Sequence, residues 1–191
     1  MQYSNSDCSG ECAIKNMLAL AHQNGTIVAI YNNKDNTRAF WTGYICRIDD
    51  LYILLAHIQS SGLYDGYFLL ELSSIYRIER DTPYLHKIEK LYQHNEQHHP
   101  ELIQKTISII NDVLLFAKEN LYVLSIQLLN SGYDDVIGTV KNVEDGFLHI
   151  NVLDEYGICS GETTLELQTI TRIACDTEDE HPIYQLMNFE K

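Results

Sequence analysis

Two histidines in the middle of the chain have a spacing that could bind a metal ion. His94 and His98 are four positions apart, which on a helix would place both imidazoles on one face. A zinc site needs a third or fourth ligand, and Glu96 or the thiols of Cys8 and Cys12 are the residues that could supply one. Nothing in the sequence brings them together, and a proline two residues after His98 indicates that a helix would end there. We therefore favour a solvated polar linker, and we expect no metal and no other cofactor.

The sequence has no signal for nucleophilic or hydrolytic chemistry. It contains no Gly-x-Ser-x-Gly elbow, no glycine-rich loop that would cradle phosphate, and no His-Glu-x-x-His zinc motif. Serine, histidine and aspartate are frequent enough that a catalytic trio could always be drawn, so their presence indicates nothing by itself. We expect a protein that is not an enzyme and that has no catalytic residue.

The elements that must position any site come from an internal repeat. Residues 43–50 (GYICRIDD) are matched by residues 138–145 (GTVKNVED), with the same glycine, the same aliphatic positions and an acidic end. When residues 43–91 are aligned without gaps to residues 138–186, an offset of 95, 15 of the 49 positions are identical. The match indicates a tandem duplication, and we predict a first unit at residues 1–95 and a second at residues 96–191.

Each unit is predicted to contain a helix, five short strands and a closing helix. Apolar residues at helical spacing predict a first helix over 12–24, and residues 111–119 are its counterpart in the second unit. Thr82 and Pro83 predict the start of the closing helix. A helix from residue 101 could run into the second unit. The strands predicted in the first unit are 26–31, 40–48, 51–58, 67–72 and 75–79.

The repeated motif and the rhythm of the strands resemble the Sm-like fold, a strongly bent barrel of the SH3 type. The resemblance rests on Gly43, Ile45, Ile48 and Asp49, which match the glycine–aliphatic–aspartate pattern of the second Sm strand, and on their equivalents in the second unit. Residues 70–75 lie where the second Sm motif would fall. Other small barrels, including PRC-type barrels, share such patterns. The resemblance implies a mainly β protein with two tandem Sm-like or SH3-like five-stranded barrels, each preceded and followed by an α-helix.

The residues with which Sm proteins bind uridine-rich RNA are missing. Those proteins have an asparagine just after the aspartate loop, and a basic residue followed by glycine before the last strand. Here residues 50–54 read DLYIL, and Glu71 and Glu166 occupy the second position in the two units. A carboxylate there replaces the cation that would face phosphate or stack on a base. The resemblance also implies that edge strands join between subunits, so the two units could pair with each other or with further chains.

The charge of −14 divides unevenly between the two units. Residues 1–95 contain 8 Lys and Arg against 10 Asp and Glu, a net of −2, whereas residues 96–191 contain 5 against 17, a net of −12. A strongly acidic surface repels phosphate backbones. Nucleic-acid binding is therefore our second hypothesis, restricted to the first unit. Its candidate contacts are Arg38, Arg47, Arg80, Lys87 and Lys90.

Two charged positions are retained in both units, Glu71 with Arg77 and Glu166 with Arg172. They could form a repeated ligand-binding pair, or an ion pair that fixes the register of the strands. We favour the ion pair, because the pattern is retained although the surface charge has diverged.

The chain contains thirteen tyrosines, and most of them lie in the first unit. Tyrosine and tryptophan are frequent at interfaces, since they offer a large rigid contact area with a polar tip. Several of these side chains could instead simply pack the barrel and its helices. Our candidate residues for binding a partner are Trp41, Tyr64, Tyr67 and Arg77.

The five cysteines and the absence of export signals favour a cytoplasmic protein. The number of cysteines is odd and none is matched between the units, which favours reduced thiols over a disulfide scaffold. No secretory signal and no apolar run long enough to span a bilayer is present. We predict a non-catalytic cytoplasmic interaction or scaffold protein that binds a protein partner or a copy of itself, with no membrane partner.

Overall fold

The computed structural model describes residues 8–103 and 106–189, without the side chains of residues 8–12. The first half contains α1 (Cys8–Asn24), β1 (Val28–Tyr31), β2 (Trp41–Ile48), β3 (Tyr52–Ile58), β4 (Tyr64–Glu71), β5 (Arg77–Arg80) and α2 (Pro83–His94). The second half contains α3 (Ile109–Asn120), β6 (Val123–Leu128), β7 (Val136–Glu144), β8 (Phe147–Leu153), β9 (Cys159–Glu166), β10 (Ile170–Cys175) and α4 (His181–Phe189). The prediction of a mainly β protein with flanking helices is confirmed.

All ten of these strands belong to one antiparallel sheet with the order β5-β1-β2-β3-β4-β10-β6-β7-β8-β9. Each half contributes its strands in the same relative order, with its fifth strand beside its first. The halves meet where β4 pairs with β10, from Leu70 opposite Arg172 to Tyr67 opposite Cys175. The sheet is open, because β5 and β9 lie at its two edges and neither pairs with a second strand in the described residues.

The glycine of the repeated motif is required for the same steric reason in both halves. A Cβ added to Gly43 would lie 2.0 Å from the carbonyl oxygen of Ala56, and one added to Gly138 would lie 2.1 Å from that of Asn151. In both halves the neighbouring strand therefore crosses too closely for any side chain.

The closing helix of the first half begins as the sequence predicts. The side chain of Thr82 accepts a hydrogen bond from the Leu85 amide at 3.2 Å, and Pro83 occupies the first turn, where its missing N–H is not needed. The helix buries Leu85 and Ile88 against the sheet.

Several boundaries differ from the predictions by a few residues, and two of these differences have a structural reason. The helix predicted from residue 101 is wrong, since residues 101–103 and 106–108 are not helical and α3 begins at Ile109. A side chain of the first half binds the start of α3, because Asp49 Oδ2 accepts the Ile109 amide at 3.1 Å. The predicted strand 67–72 starts earlier, at Tyr64, because pairing with β3 continues past an irregularity in register near Ile58.

The largest apolar core is shared by the two halves. It packs Tyr52, Leu54, Tyr67 and Leu69 of the first half against α3 and the strands of the second. Two smaller cores lie under α1 and α2. Among the described residues, none of the helices has the length and apolarity needed to cross a membrane.

Candidate functional site

Polar contacts join the two halves along the β4–β10 junction. The Tyr52 hydroxyl donates to the carbonyl oxygen of Ile170 at 2.8 Å. The amide of Glu178 donates to Asp65 Oδ1 at 2.6 Å. These bonds supplement the backbone ladder, so the junction is specific as well as extensive.

Two of the residues predicted to bind a partner lie in this junction. The Tyr64 hydroxyl donates to the carboxylate of Asp176. Tyr67 is 3% exposed, donates to the Pro100 carbonyl and packs its ring 5.9 Å from that of Phe116. Burial raises the pKa of both tyrosines well above the ordinary value, so their hydroxyls stay neutral donors. Both tyrosines thus contact the second half of their own chain.

The other two predicted partner residues lie elsewhere. The ring of Trp41 stacks on Phe68, with centroids 4.2 Å apart, and its Nε1 donates to Asn32 Oδ1 at 3.1 Å. Arg77 lies on the edge strand β5, with its guanidinium 4.4 Å from the centre of the Tyr31 ring. The structure therefore does not bring the four candidate residues together as one surface.

The two ion pairs that the repeat predicts do not form. Arg77 pairs with Glu79 instead. Arg172 pairs with Asp134, with Nη2 and Oδ1 2.5 Å apart. The glutamate and arginine that both halves retain therefore do not pair with each other. Each arginine pairs with a different nearby carboxylate instead.

The residues proposed to contact nucleic acid are dispersed over several elements. Arg47 forms an ion pair with Asp112 of α3, whose side chain is fully buried. Arg80 Nε lies 3.5 Å from Asp81 Oδ2. Arg38 is exposed in the loop after β1. Lys87 and Lys90 are exposed on α2, where they line a shallow depression with Pro83, His86 and Leu91. Arg47 is thus engaged inside the junction, and only the two lysines share one element.

The histidine pair does not form the helical arrangement considered from the sequence. His94 is the last residue of α2, and His98 follows in the linker with its Nδ1 3.4 Å from the carbonyl oxygen of Glu96. No group of three or more metal-ligating side chains occurs in residues 13–103 or 106–189. The side chains of Cys8 and Cys12 lie outside the described residues.

His99, to which the sequence assigned no role, holds the linker against the sheet. Its Nε2 lies 2.8 Å from the carbonyl oxygen of His57, and its Nδ1 lies 2.9 Å from the Tyr92 hydroxyl. Burial lowers the pKa of His99 to about 4, so the ring is neutral at neutral pH. No sequence signal distinguishes it from the neighbouring exposed His98.

The buried thiols are poor nucleophiles. Burial raises the pKa of Cys46 to about 11 and that of the fully buried Cys175 well above its ordinary value. Both therefore stay protonated at neutral pH and act as small apolar side chains in the sheet.

An apolar groove lies beside the junction, between the β2–β3 and β7–β8 turns. We call it the Leu51–Phe147 groove; it has a volume of about 330 Å³. Leu51 is 65% exposed and Phe147 is 43% exposed, although both are large apolar side chains. Asp145 and Glu166 are its charged lining residues, and among residues 8–103 and 106–189 no cation lines it. The full lining is Leu51, Tyr52, Ser108, Ile110, Asp145, Gly146, Phe147, Glu166, Leu167 and Gln168.

A smaller polar cavity of about 230 Å³ lies where loops of both halves meet near Trp41 and Arg172. It shares no lining residue with the groove. The groove and this cavity therefore differ in chemistry: the groove is apolar with acidic groups, and the cavity is polar with basic groups.

Comparisons with known proteins add no relative. No protein-family model matches the chain, and no curated protein and no solved structure is significantly similar to it.

Proposed function

We propose that the protein is a non-catalytic interaction protein that binds a segment of a protein partner in the Leu51–Phe147 groove. The observation that carries this proposal is the exposure of Leu51 and Phe147 around a concave, largely apolar lining. Grouped apolar side chains on a water-facing surface are a common mark of a docking site. Burying one such side chain completely contributes about 1.5–3 kcal/mol, so two anchors can support a specific contact.

The charge of the groove indicates which partner segment fits. Asp145 and Glu166 line it, no cation does so in the part of the chain that the structure describes, and the second half of the chain has a net charge of −12. A segment with one or two apolar anchors flanked by lysine or arginine would complement both properties. An acidic segment would be repelled.

The fold supports a more specific proposal, that each half is an Sm-like unit. In both halves the fifth strand lies beside the first, followed by the second, third and fourth. The β4–β10 pairing also joins an edge strand of one half to an edge strand of the other, as the resemblance to Sm-type subunits implies. On this proposal the chain is a covalent pseudo-dimer of residues 1–95 and 96–191.

Selection from a displayed peptide library tests the docking proposal. Wild-type protein should enrich sequences that combine basic residues with a large apolar residue. The double variant L51S/F147S should lose at least roughly tenfold in affinity for them, because both anchoring contacts are removed.

The matched control is the double variant L129S/Y156S, which removes two exposed apolar side chains outside the groove. Peptides that bind L51S/F147S as well as they bind the wild type would rule out the groove. Enrichment of acidic peptides would contradict the charge argument.

RNA binding through the first half is the second candidate function. The observation that favours it is the pair of exposed lysines, Lys87 and Lys90, beside His86 on α2. A fluorescence-anisotropy titration with uridine-rich RNA at low salt tests it. Saturable binding that the K87E/K90E variant abolishes would support this function, and an unchanged signal at micromolar protein would remove it.

A further inference from the structure

The polar cavity near Trp41 is built from loops of both halves. The β1–β2 loop contributes residues 32–35, the turn after β4 contributes Ser73 and Ser74, and the second half contributes residues around Asn130. A Cβ added to Gly132 would lie 3.9 Å from Asp35 Oδ2, so the loops of the two halves approach each other here. The cavity, which we call the Trp41 cavity, thus depends on the junction.

The Trp41 cavity is rich in hydrogen-bond donors. Asn32 Oδ1 already accepts from Trp41 Nε1, and Asn33 Oδ1 accepts from the amides of Asp35 and Asn36. The amide NH₂ groups are therefore the donors that these two side chains can offer a ligand. The amide and hydroxyl side chains of the lining are Asn32, Asn33, Ser73, Ser74, Gln127 and Asn130.

The charge of the lining is opposite to that of the chain. Two cations, Lys34 and Arg172, and one carboxylate, Asp35, line the cavity, which gives a net of +1 in a protein of −14. The Arg172 side chain is 15% exposed, and its guanidinium lies 5.5 Å from the centre of the Trp41 ring.

The charge of Arg172 is only partly satisfied by protein groups. Its Nη2 donates to Asp134 Oδ1, and its Nε has no acceptor among the described residues. A buried donor without an acceptor is unfavourable, so the guanidinium would gain from an additional oxygen acceptor nearby.

From these observations we propose that the Trp41 cavity binds a small molecule carrying an oxyanion, either a carboxylate or a phosphate. Arg172 and Lys34 supply the positive charge, and the amide side chains supply neutral donors. A volume of about 230 Å³ has room for a ligand of roughly ten non-hydrogen atoms. The cavity is separate from the Leu51–Phe147 groove, so this inference does not depend on the proposed function.

The chain contains a single tryptophan, and that residue forms part of the cavity wall. Its fluorescence therefore reports on the cavity directly. Inorganic phosphate, succinate and glycerol 3-phosphate, none of which has more than ten non-hydrogen atoms, are the probes, each compared with sodium chloride at equal ionic strength. A saturable change with succinate alone would identify a carboxylate ligand, and a change with either phosphate probe would identify a phosphate ligand.

Three variants make the test specific. K34Q removes one lining cation and should weaken binding roughly fivefold. D134N releases Arg172 from its carboxylate and should strengthen binding roughly fivefold. K87Q removes an exposed lysine outside the cavity and should leave the affinity unchanged.

Isothermal titration calorimetry with the same probes covers binding that leaves the emission unchanged. The proposal is overturned if no probe binds saturably by either method. It is also overturned if K34Q and D134N bind with the wild-type affinity, because the ligand would then lie elsewhere.

Discussion

At the scale of single residues, backbone proximity and burial explain positions that the sequence pattern alone leaves ambiguous. Gly43 and Gly138 face a carbonyl oxygen of the next strand, so their lack of a side chain is a steric requirement. His99 is half-buried against the His57 carbonyl, whereas His98, one position before it, is exposed. We therefore expect substitutions of Gly43 and His99 to change the stability of the protein.

Gly43→Ala should lower the free energy of unfolding by about 3 kcal/mol, because its Cβ would lie 2.0 Å from the Ala56 carbonyl oxygen. Gly146→Ala is the matched control, since its Cβ would meet nothing within 4 Å. At a φ of +84° the control should cost only about 1–2 kcal/mol of backbone strain. Urea denaturation of the two variants checks this, and equal losses would contradict the steric explanation.

His99 should make the protein less stable in mild acid. Its pKa is about 4 in the folded protein, whereas an unfolded histidine has a pKa of about 6.5. The unfolded chain therefore binds the proton more readily, and stability is lost as the pH falls from about 6.5 towards 4. Between pH 7 and pH 5 the contribution of this residue should be about 2 kcal/mol.

Comparing the free energy of unfolding of the wild type and His99→Asn at these two pH values isolates that contribution. The variant should lose about 2 kcal/mol less than the wild type on acidification. His94→Asn, which alters an exposed histidine, is the control and should behave like the wild type. An unchanged slope in His99→Asn would show that His99 is not the titrating group.

At the scale of elements, the junction between β4 and β10 depends on groups supplied by neighbouring elements. Arg47 of β2 reaches Asp112 of α3, and Asp49 of the following turn accepts the first amide of α3. The start of α3 is therefore determined by the first half. This explains why local sequence predicted a helix beginning at residue 101, eight residues too early.

Arg47→Met should destabilise the protein by about 3 kcal/mol, because it removes a cation paired with the fully buried carboxylate of Asp112. Adding Asp112→Asn should recover part of this loss, since the buried negative charge is then removed as well. A double-mutant cycle by chemical denaturation measures the coupling. Lys141→Met breaks the exposed pair with Glu162 and should cost less than about 1 kcal/mol.

Additive effects of the Arg47 and Asp112 substitutions would contradict the ion pair. So would a loss for Lys141→Met as large as that for Arg47→Met.

At the scale of the whole molecule, an outer edge strand of the sheet differs from its counterpart at the centre, where β4 pairs with β10. β9 is the counterpart of β4 at the repeat offset, but Phe68 and Leu69 of β4 are replaced by Thr163 and Thr164. Tyr64, which bonds across the junction, is replaced by Cys159. The outer edge strand β9 therefore lacks the apolar and hydrogen-bonding groups of β4, which protects it from pairing between chains.

We therefore expect the protein to be a monomer at about 100 µM, a concentration at which a weak edge contact is not populated. Light scattering after size exclusion checks the mass. The variant T163F/T164L gives β9 the two residues that β4 has at the equivalent positions, and it should increase self-association. A stable dimer of the wild type would contradict this prediction and favour self-association over a foreign partner.

Much of each half could be predicted from local sequence. The five strands of the first half and the Thr82–Pro83 helix start depend on residues near one another in the chain. The candidate sites could not be predicted in the same way. Leu51 and Phe147 come from different halves, and Trp41 and Arg172 meet only because β4 pairs with β10.

Local patterning and composition were enough to predict the succession of helix and short strands in the first half and the uneven charge. That the halves share one open sheet, and that Tyr64, Tyr67 and Arg47 join them, is visible only in the folded chain. The physical reason is sequence separation. Tyr64 and Asp176 are 112 residues apart, and no local pattern specifies which of many carboxylates will meet a given hydroxyl.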